Sequence, residues 1–363
     1  VACADAVCEA ACLVCAAACL PFLRVHAGLL HAPSDLAADA PYPYFDTLRR
    51  ACLLLSSAAR SRHALSDLLA DSTHVSQREL STGVFEVRAA AVLAEQPCER
   101  HRARLLSASG VGAGAWLEVM PVSDRLRAAP RLFWLALCMR LGMPVADLLP
   151  VGGRAPACRA CSCEHDAYGR HPSVCGGGNR ASMYTIRHDA VQSALLWVYR
   201  VVGLAASAVA GQGNYLGTAG YTASGGQLRP DIAVWHYRAP SRHLFLDVAV
   251  TDPGGSVALR ASPPSSAEPG VAAELRARKK EGKYTGACAA RGCSFTAAII
   301  ERFGAVGCGL MGLLRECAGD RAVSCDAPDW SFTARSRLAY FVQHVVFACV
   351  IADAAMLWRR LLT

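Results

Sequence analysis

Apolar residues recur at helical spacing along most of this chain, most regularly towards its two ends. Residues 1–32 predict one alanine-rich helix. Four cysteines mark one face of it, at the spacing i, i+4, i+7 and i+11: Cys8, Cys12, Cys15 and Cys19. Thiols stacked along one helix cannot converge on a metal, so these side chains are expected to pack as small hydrophobic groups. Residues 45–108 also predict helices, and 1–108 is therefore expected to form a helical N-terminal region.

Apolar stretches predict further helices in the rest of the chain. A helical linker at 109–153 contains a helix at 130–142, which Gly142 should end. C-terminal helices are expected at 311–363, the longest from Leu338 to Leu362. That helix approaches bilayer length, but polar residues interrupt it and favour a buried or partner-facing helix over a membrane span. These interruptions are Gln343, His344 and Asp353.

Between residues 229 and 251 the pattern changes to short apolar runs around a turn. Residues 229–235 and 244–251 predict the strands of a hairpin, with the turn at 238–241. If the hairpin is centred on Ala239, Asp231 and Asp247 lie opposite one another. Cross-strand neighbours are about 4.5–5.5 Å apart at Cβ, so both carboxylates could share one Mg²⁺. Apolar residues then line the opposite, packed face: Ile232, Val234, Leu246, Val248 and Val250.

Lysine is confined to one place in a chain whose other strong cations are all arginine. Among 37 Lys and Arg residues the lysines are Lys279, Lys280 and Lys283, on a helix predicted from Val271 to Tyr284. An ammonium is compact and its pKa shifts readily, so beside a metal-bound water or a scissile phosphate it offers what a guanidinium cannot. The alternative is a solvated basic turn of helix, but the two acidic strands upstream favour the chemical role.

The charge distribution indicates the same part of the chain. The formal net charge is +8, and residues 151–300 hold 16 Lys and Arg against 9 Asp and Glu. This central block is therefore expected to meet a polyanion, whereas the rest of the chain is close to neutral. The 18 cysteines lie in helical stretches or at metal-ligand spacing, which favours a reducing compartment over a disulfide framework.

One cysteine and histidine cluster has the spacing of a small zinc site. Three thiolates and an imidazole lie within 18 residues, enough to fill a tetrahedral Zn²⁺ site. The predicted ligands are Cys158, Cys161, His171 and Cys175. With four protein ligands the zinc would be structural, in a knuckle at 154–180. Cys163 and His165 are competing ligands, and free cysteines in a disordered segment are the alternative to a metal site.

Taken in order, these motifs resemble a known family. Pro230-Asp231, Asp247 and Lys280-x2-Lys283-Tyr284 resemble the PD-(D/E)XK nuclease pattern, and more narrowly the restriction-like endonuclease at the C-terminus of non-LTR retrotransposon proteins. In that family a Cys-Cys-His-Cys knuckle precedes the nuclease, followed by a basic pair that Arg187-His188 matches. The resemblance extends over about residues 109–310. One departure is Ala249, at the position where the common arrangement has its lysine.

The resemblance implies an α/β (α+β) restriction-endonuclease-like core at 181–310, with a small zinc knuckle, a mostly α-helical N-terminal region and C-terminal helices. It implies a Mg²⁺-dependent DNA endonuclease, a hydrolase in the nucleus that nicks target DNA for retroelement integration. Mg²⁺ would be the catalytic cofactor and Zn²⁺ the structural one. The expected partners are DNA, element RNA and the reverse-transcriptase portion of the same or a parent polyprotein, with no membrane.

The same resemblance implies roles for individual residues. Asp231 and Asp247 would bind Mg²⁺, and Lys280 or Lys283 would orient the water or stabilise the phosphate. Nucleic-acid contacts are expected from Arg187, His188, Arg229 and Lys279. Two alternatives stay open. One is a non-catalytic knuckle module whose acids pair with Arg229 or Arg242, and the other is a degenerate retroelement remnant or helical interaction protein.

Overall fold

The computed structural model describes residues 89–145, 161, 166, 168–171, 175, 180–209, 216, 227–237, 242–319 and 333–362. The chain divides into two compact units, residues 1–96 and 97–363, and the second contains the sheet. Several predicted features lie outside the described residues: the cysteine helix at 1–32, the hairpin turn at 238–241, and the zinc-ligand candidates Cys158, Cys163 and His165.

Helices and a four-stranded sheet form the described part of the second unit, which is mixed α/β. The helices are α1 (Glu99–Ser109), α2 (Pro130–Leu141), α3 (Arg180–Val201), α4 (Ser256–Leu259), α5 (Val271–Ala289), α6 (Cys308–Gly319) and α7 (Arg337–Leu362). The strands are β1 (Ala206–Ala208), β2 (Ile232–Val234), β3 (Leu244–Thr251) and β4 (Ser294–Glu301). Short 3₁₀ turns at Ala115–Glu118 and Asp124–Leu126 lie between α1 and α2.

The predicted hairpin strands are present, but the first is shorter than expected. β3 has the predicted limits, whereas β2 begins only at Ile232. Pro230 has no N–H to donate to the ladder, which explains the late start. α2 ends as predicted, at Gly142, whose φ of 69° is the left-handed conformation that glycine adopts readily at a helix end.

The sheet joins an antiparallel meander to a parallel pair. Its strand order is β1-β2-β3-β4, with β1–β2 and β2–β3 antiparallel and β3–β4 parallel. Parallel neighbours need a crossover connection, and here α5 lies in that connection. The topology therefore places α5 across one face of the sheet, where it packs on β3 and β4.

Each face of the sheet has its own helical cover. The predicted apolar residues Ile232, Val234, Leu246 and Val248 are buried in one core cluster with α2, α3, α6 and α7, and Val250 packs against it. On the other face, apolar residues of β2, β3 and β4 contact α5. Those on the strands are Ala233, Phe245, Ala249, Ala297 and Ile299.

α7 is the central helix of the larger core. By length and a mean hydropathy of 1.7, Arg337–Arg359 could cross a membrane, but 78% of its apolar 18-residue window is buried inside the protein. Its polar residues Gln343, His344 and Asp353 are buried too. His344 stacks on Trp197 of α3 at 3.9 Å, and burial lowers the pKa of this imidazole to about 4. The polar interruptions are therefore packing contacts of a core helix.

Asp353 of α7 forms a buried ion pair with two arginines. Its Oδ1 lies 2.7 Å from a guanidinium nitrogen of Arg187 on α3. Its Oδ2 lies 3.0 Å from Arg302, the residue that follows β4. All three side chains are almost fully buried, so each charge depends on the others for compensation. The cluster joins α3, α7 and the end of β4.

Replacing Asp353 by alanine should lower the free energy of unfolding by about 3–5 kcal/mol, because two buried guanidinium groups lose their counter-ion. Urea denaturation followed by circular dichroism measures the change. Asp124→Ala is the matched control, since Asp124 is 96% exposed and pairs with Arg127 at the surface; it should have little effect. Similar stabilities for the two variants would contradict this account.

Candidate active site

Strand register brings Asp231 and Asp247 together. β2 pairs with β3 through Ile232 and Leu246, so the next step of the register places Asp231 opposite Asp247, as predicted. Residues opposite one another share a face of the sheet. Phe245, two residues before Asp247, packs beneath α5 with Tyr284, so both acids lie on the face that α5 covers.

Asp231 is held by contacts on three sides. Its carboxylate accepts a hydrogen bond of 2.6 Å from the backbone N–H of Val248. β2 begins only at Ile232 and does not extend far enough to pair with this N–H. The same oxygen, Oδ2, lies 3.0 Å from Nε2 of His188. The backbone carbonyl of Asp231 accepts a bond of 2.7 Å from the side-chain amide of Gln192, and its N–H donates to Leu246. Asp231 therefore has one defined orientation.

α5 brings a lysine to the second acid. Residues facing the sheet recur along this helix at i, i+4, i+7, i+11 and i+15: Ala273, Ala277, Lys280, Tyr284 and Cys288. Lys280 is thus the lysine that lies in the sheet-facing row, and its Nζ is 2.5 Å from Oδ1 of Asp247. Asp247 is only 4% exposed, so this ion pair is largely withdrawn from water. Lys279 and Lys283 are exposed.

The rotation of α5 is fixed at its first turn. Glu301, at the end of β4, is buried and accepts a hydrogen bond of 3.2 Å from the N–H of Ala273. A carboxylate near a helix N-terminus satisfies a backbone donor and interacts favourably with the helix dipole. This contact sets which residues of α5 face β3, and hence that Lys280 does.

The two aspartates influence each other's ionisation. Their carboxyl groups lie within hydrogen-bonding reach of one another. Burial raises the pKa of Asp247, and neighbouring Asp231 raises it further, although Lys280 opposes both effects. Burial also raises the pKa of Asp231, but the contact with His188 outweighs it and the pKa is lowered overall. Such a pair is stabilised by a shared proton or a cation.

His188 is part of this site and carries a positive charge in it. Nε2 faces Asp231, and Nδ1 lies 3.0 Å from Asp189. The hydrogen bond to Asp231 chiefly, and that to Asp189, raise the pKa of His188 to about 9. It was expected at a nucleic-acid surface, whereas it bonds a candidate metal ligand. Gln192 was not expected at all; its spacing of four residues from His188 on one helix face was the available signal.

Tyr284 closes the site on the α5 side. Its hydroxyl donates a bond of 2.9 Å to the carbonyl of Arg229, and its ring stacks on Phe295 at 4.8 Å. Burial and the adjacent Asp247 raise the pKa of this phenol far above its ordinary value, so it stays neutral. Lys283 lies 3.4 Å from the same hydroxyl, at the rim of the site.

The structure corrects one predicted nucleic-acid contact. Arg187 is 5% exposed and bound to Asp353 in the core, so its guanidinium does not reach a surface where phosphate could lie. Arg229 and Lys279 are exposed, as a phosphate contact requires. Arg229 bonds Gln227 at 2.8 Å, and the contacts of Asp231 and Asp247 are to His188 and Lys280 rather than to Arg229.

Three of the four predicted zinc ligands meet in space. The sulfur of Cys161 lies 3.2 Å from Nε2 of His171 and 3.6 Å from the sulfur of Cys175. A tetrahedral zinc site with Zn–S of 2.3 Å has S···S edges of about 3.8 Å. Asp166 accepts hydrogen bonds from the N–H groups of Arg170 and His171, which positions the imidazole. Among the described residues, Cys161, His171 and Cys175 form the cluster that offers a metal three ligand atoms.

Similarity to known proteins does not assign a function to these groups. No protein-family model matches the chain, and no curated protein matches it. Function is therefore inferred from the chemistry of the acids, the lysine and the sulfur ligands.

The charge on His188 should make stability depend on pH. A folded-state pKa of about 9 exceeds the ordinary 6.5, so the His188 contribution is fully present below pH 6.5 and is lost as pH rises through 9. The difference in unfolding free energy between the wild type and His188→Gln should shrink over that range, measured by urea denaturation in the presence of EDTA. A difference that stays constant from pH 6 to pH 9.5 would contradict the ion pair.

Purified protein should contain about one zinc per chain, and Cys175→Ser should lose it, because metal affinity falls when a ligand is removed. Elemental analysis after gel filtration measures the metal content. Cys308→Ser is the control, since Cys308 is an exposed thiol at the start of α6. Zinc retained by both variants, or absent from the wild type, would refute the site.

Proposed function

We propose that this chain is a Mg²⁺-dependent DNA endonuclease, similar to the PD-(D/E)XK enzymes at the C-terminus of non-LTR retrotransposon proteins, and that it nicks target DNA for retroelement integration. The observation that carries the proposal is the meeting of Asp231, Asp247 and Lys280 on one face of the sheet. Two carboxylates and an ammonium are the groups needed to hold a divalent cation and stabilise an attacked phosphodiester.

The acid pair fits a divalent cation. Burial, and then the adjacent Asp231, keep the pKa of Asp247 raised even with Lys280 beside it, and a bound cation would offset both effects. Mg²⁺ prefers carboxylate oxygens and keeps several waters, and two acids from adjacent strands suit it. Asp231 and Asp247 would hold the ion. Once bound, it would polarise the scissile phosphate and lower the pKa of a bound water.

Lys280 has the position for a catalytic role. Because Asp247 holds its ammonium, Lys280 can orient the attacking water or balance the charge that develops on the phosphate. In the reaction, the water oxygen bonds to phosphorus while the bond from phosphorus to O3′ breaks. The leaving oxygen takes up a proton, and the products are a 3′-hydroxyl and a 5′-phosphate. A free 3′-hydroxyl is what a reverse transcriptase needs as a primer.

The outer surface of α5 is suited to the DNA backbone. Arg276, Lys279 and Lys283 are exposed on the helix that carries Lys280. Gly282 and Gly286 have open space around them, so a phosphate chain can approach the helix closely. Arg229, whose backbone carbonyl accepts the bond from Tyr284, is also exposed and adds a positive charge. We assign the nucleic-acid contacts to these residues rather than to Arg187.

A non-catalytic zinc-knuckle module that binds nucleic acid is the second candidate. The cluster of Cys161, His171 and Cys175 favours it, because such a site stabilises a small loop without needing the acid pair. On that account Asp231 and Asp247 would be structural, and their neutralisation would not change any reaction.

Asp247→Asn should lower the nicking rate by about 10²-fold or more, because a metal ligand and its charge are lost. DNA affinity should be unchanged or slightly higher, since a negative charge near phosphate is removed. Nicking of supercoiled plasmid with Mg²⁺ measures the first, and fluorescence anisotropy with labelled duplex the second. Asp231→Asn should behave alike, whereas the exposed control Asp124→Asn should keep full activity. Wild-type protein that binds DNA but does not nick it would favour the non-catalytic module.

Lys280→Arg should reduce the nicking rate by roughly 10²-fold, because a guanidinium has a different shape and does not titrate in the same range. Lys279→Arg is the matched control on the adjacent, exposed position and should change the rate little. Lys283→Arg, at the rim, should also be mild. An enzyme that tolerates arginine at Lys280 would show that this ammonium has no chemical role.

A further inference from the structure

A cavity of about 390 Å³ lies apart from the acid pair, since Asp231, Asp247 and Lys280 do not line it. Its walls come from the first turns of α1, from residues just after β3 and β4, and from Asp166, Tyr168, Arg170 and His171. In sheets with parallel strands, ligands bind in crevices beyond the carboxyl ends of those strands, and β3 and β4 are such a pair. Its volume falls within the range of small-molecule sites, about 300–1,000 Å³.

Guanidinium groups dominate the charge of this cavity. The four arginines in its wall are Arg100, Arg104, Arg170 and Arg302, against the two acids Asp166 and Asp252. Asp166 uses both carboxylate oxygens on backbone N–H groups of its own turn. Asp353 compensates Arg302 from outside the wall, and positive charge still exceeds negative. Burial lowers the pKa of Arg104, a penalty that a bound anion would offset.

Two of these arginines flank one glycine. A Cβ at Gly254 would lie 3.4 Å from Nε of Arg170, 3.6 Å from Oδ1 of Asp252 and 3.8 Å from Cβ of Arg100. Arg170 pairs with Asp252 through a terminal nitrogen at 3.2 Å. Its Nε is buried and has no hydrogen-bond partner among the described residues. A buried donor with no acceptor, in a cavity wall that Arg100 also lines, fits an oxyanion.

The remaining wall of the cavity is aromatic and apolar. Tyr168 is 39% exposed, with its ring edge-to-face on His101 at a centroid distance of 4.5 Å. Phe303 and Met139 complete this side. An exposed aromatic ring takes a nucleobase by stacking, irrespective of base identity, while guanidinium groups take its phosphate.

We propose that this cavity binds a single nucleotide, with its phosphate at Arg100 and Arg170 and its base against Tyr168. Asp252 in the wall follows Asp247 by five residues, roughly 17 Å along an extended strand. A nucleotide here therefore does not occupy the acid pair, and the binding does not depend on nuclease activity. The nucleotide is either free or the phosphorylated end of a strand.

The test is a titration of the full chain with deoxyadenosine 5′-monophosphate, deoxyadenosine and inorganic phosphate, followed by isothermal calorimetry. The nucleotide should bind more tightly than either part alone. Arg100→Ala should weaken nucleotide binding about tenfold or more, the loss expected for one charge-assisted hydrogen bond. Tyr168→Ala should weaken nucleotide binding but leave phosphate binding unchanged. Arg127→Ala, at an exposed arginine outside the cavity, is the matched control.

Several outcomes would overturn the proposal: no binding of the nucleotide, equal binding of deoxyadenosine, or full affinity in Arg100→Ala. Asp247→Asn should bind the nucleotide as the wild type does, so failure of the nuclease proposal and failure of this one are distinguishable. Competition then separates the two sources of the ligand. A short oligonucleotide with a 5′-phosphate that outcompetes the mononucleotide identifies a strand end, and the reverse order identifies a free nucleotide.

Discussion

The buried carboxylate of Asp353, shared by two arginines, is the contact on which the geometry of the site depends. Arg187 and Arg302 each need this counter-ion, so α3, α7 and the end of β4 must meet at one point. Successive residues of a helix are turned by about 100°, so the rotation of α3 that directs Arg187 into the core directs His188 elsewhere. His188 and Gln192 consequently reach Asp231 from the same helix. A charge cluster in the core thereby orients a group at the surface.

The second constraint is the topology of the sheet. A parallel pair requires a crossover, and the crossover helix α5 must cover the face on which Asp247 lies. Glu301 fixes the first turn of that helix, and the row of small residues that follows lets it pack closely on β3 and β4. Lys280 lies in this row, so its ammonium contacts the buried carboxylate of Asp247 on the strand beneath it. Ala249, two residues after Asp247 on the strand, carries no charge, and the cation beside Asp247 comes from the helix.

β3 therefore contributes residues to two separate sites, one in the middle of the strand and one just beyond its end. Asp247, in the middle of the strand, belongs to the acid pair, whereas Asp252, just beyond its end, belongs to the arginine-lined cavity. His171 lines that cavity and also contacts Cys161, so the predicted zinc site lies in its wall. Metal binding there and the shape of the cavity are physically linked, because a metal would fix the imidazole.

The amino-acid sequence by itself determined the local features. Strand limits for β3, the helix at Val271, the end of α2 and the pairing of Asp231 with Asp247 follow from periodicity, turn residues and a symmetric hairpin, which are short-range properties. Tertiary structure decided what depends on packing between distant segments. It selected Lys280 from three lysines, buried Arg187 against a residue 166 positions away, and brought His188 to Asp231. Helix rotation and long-range charge pairing leave no mark on local spacing, which is why these assignments required the folded chain.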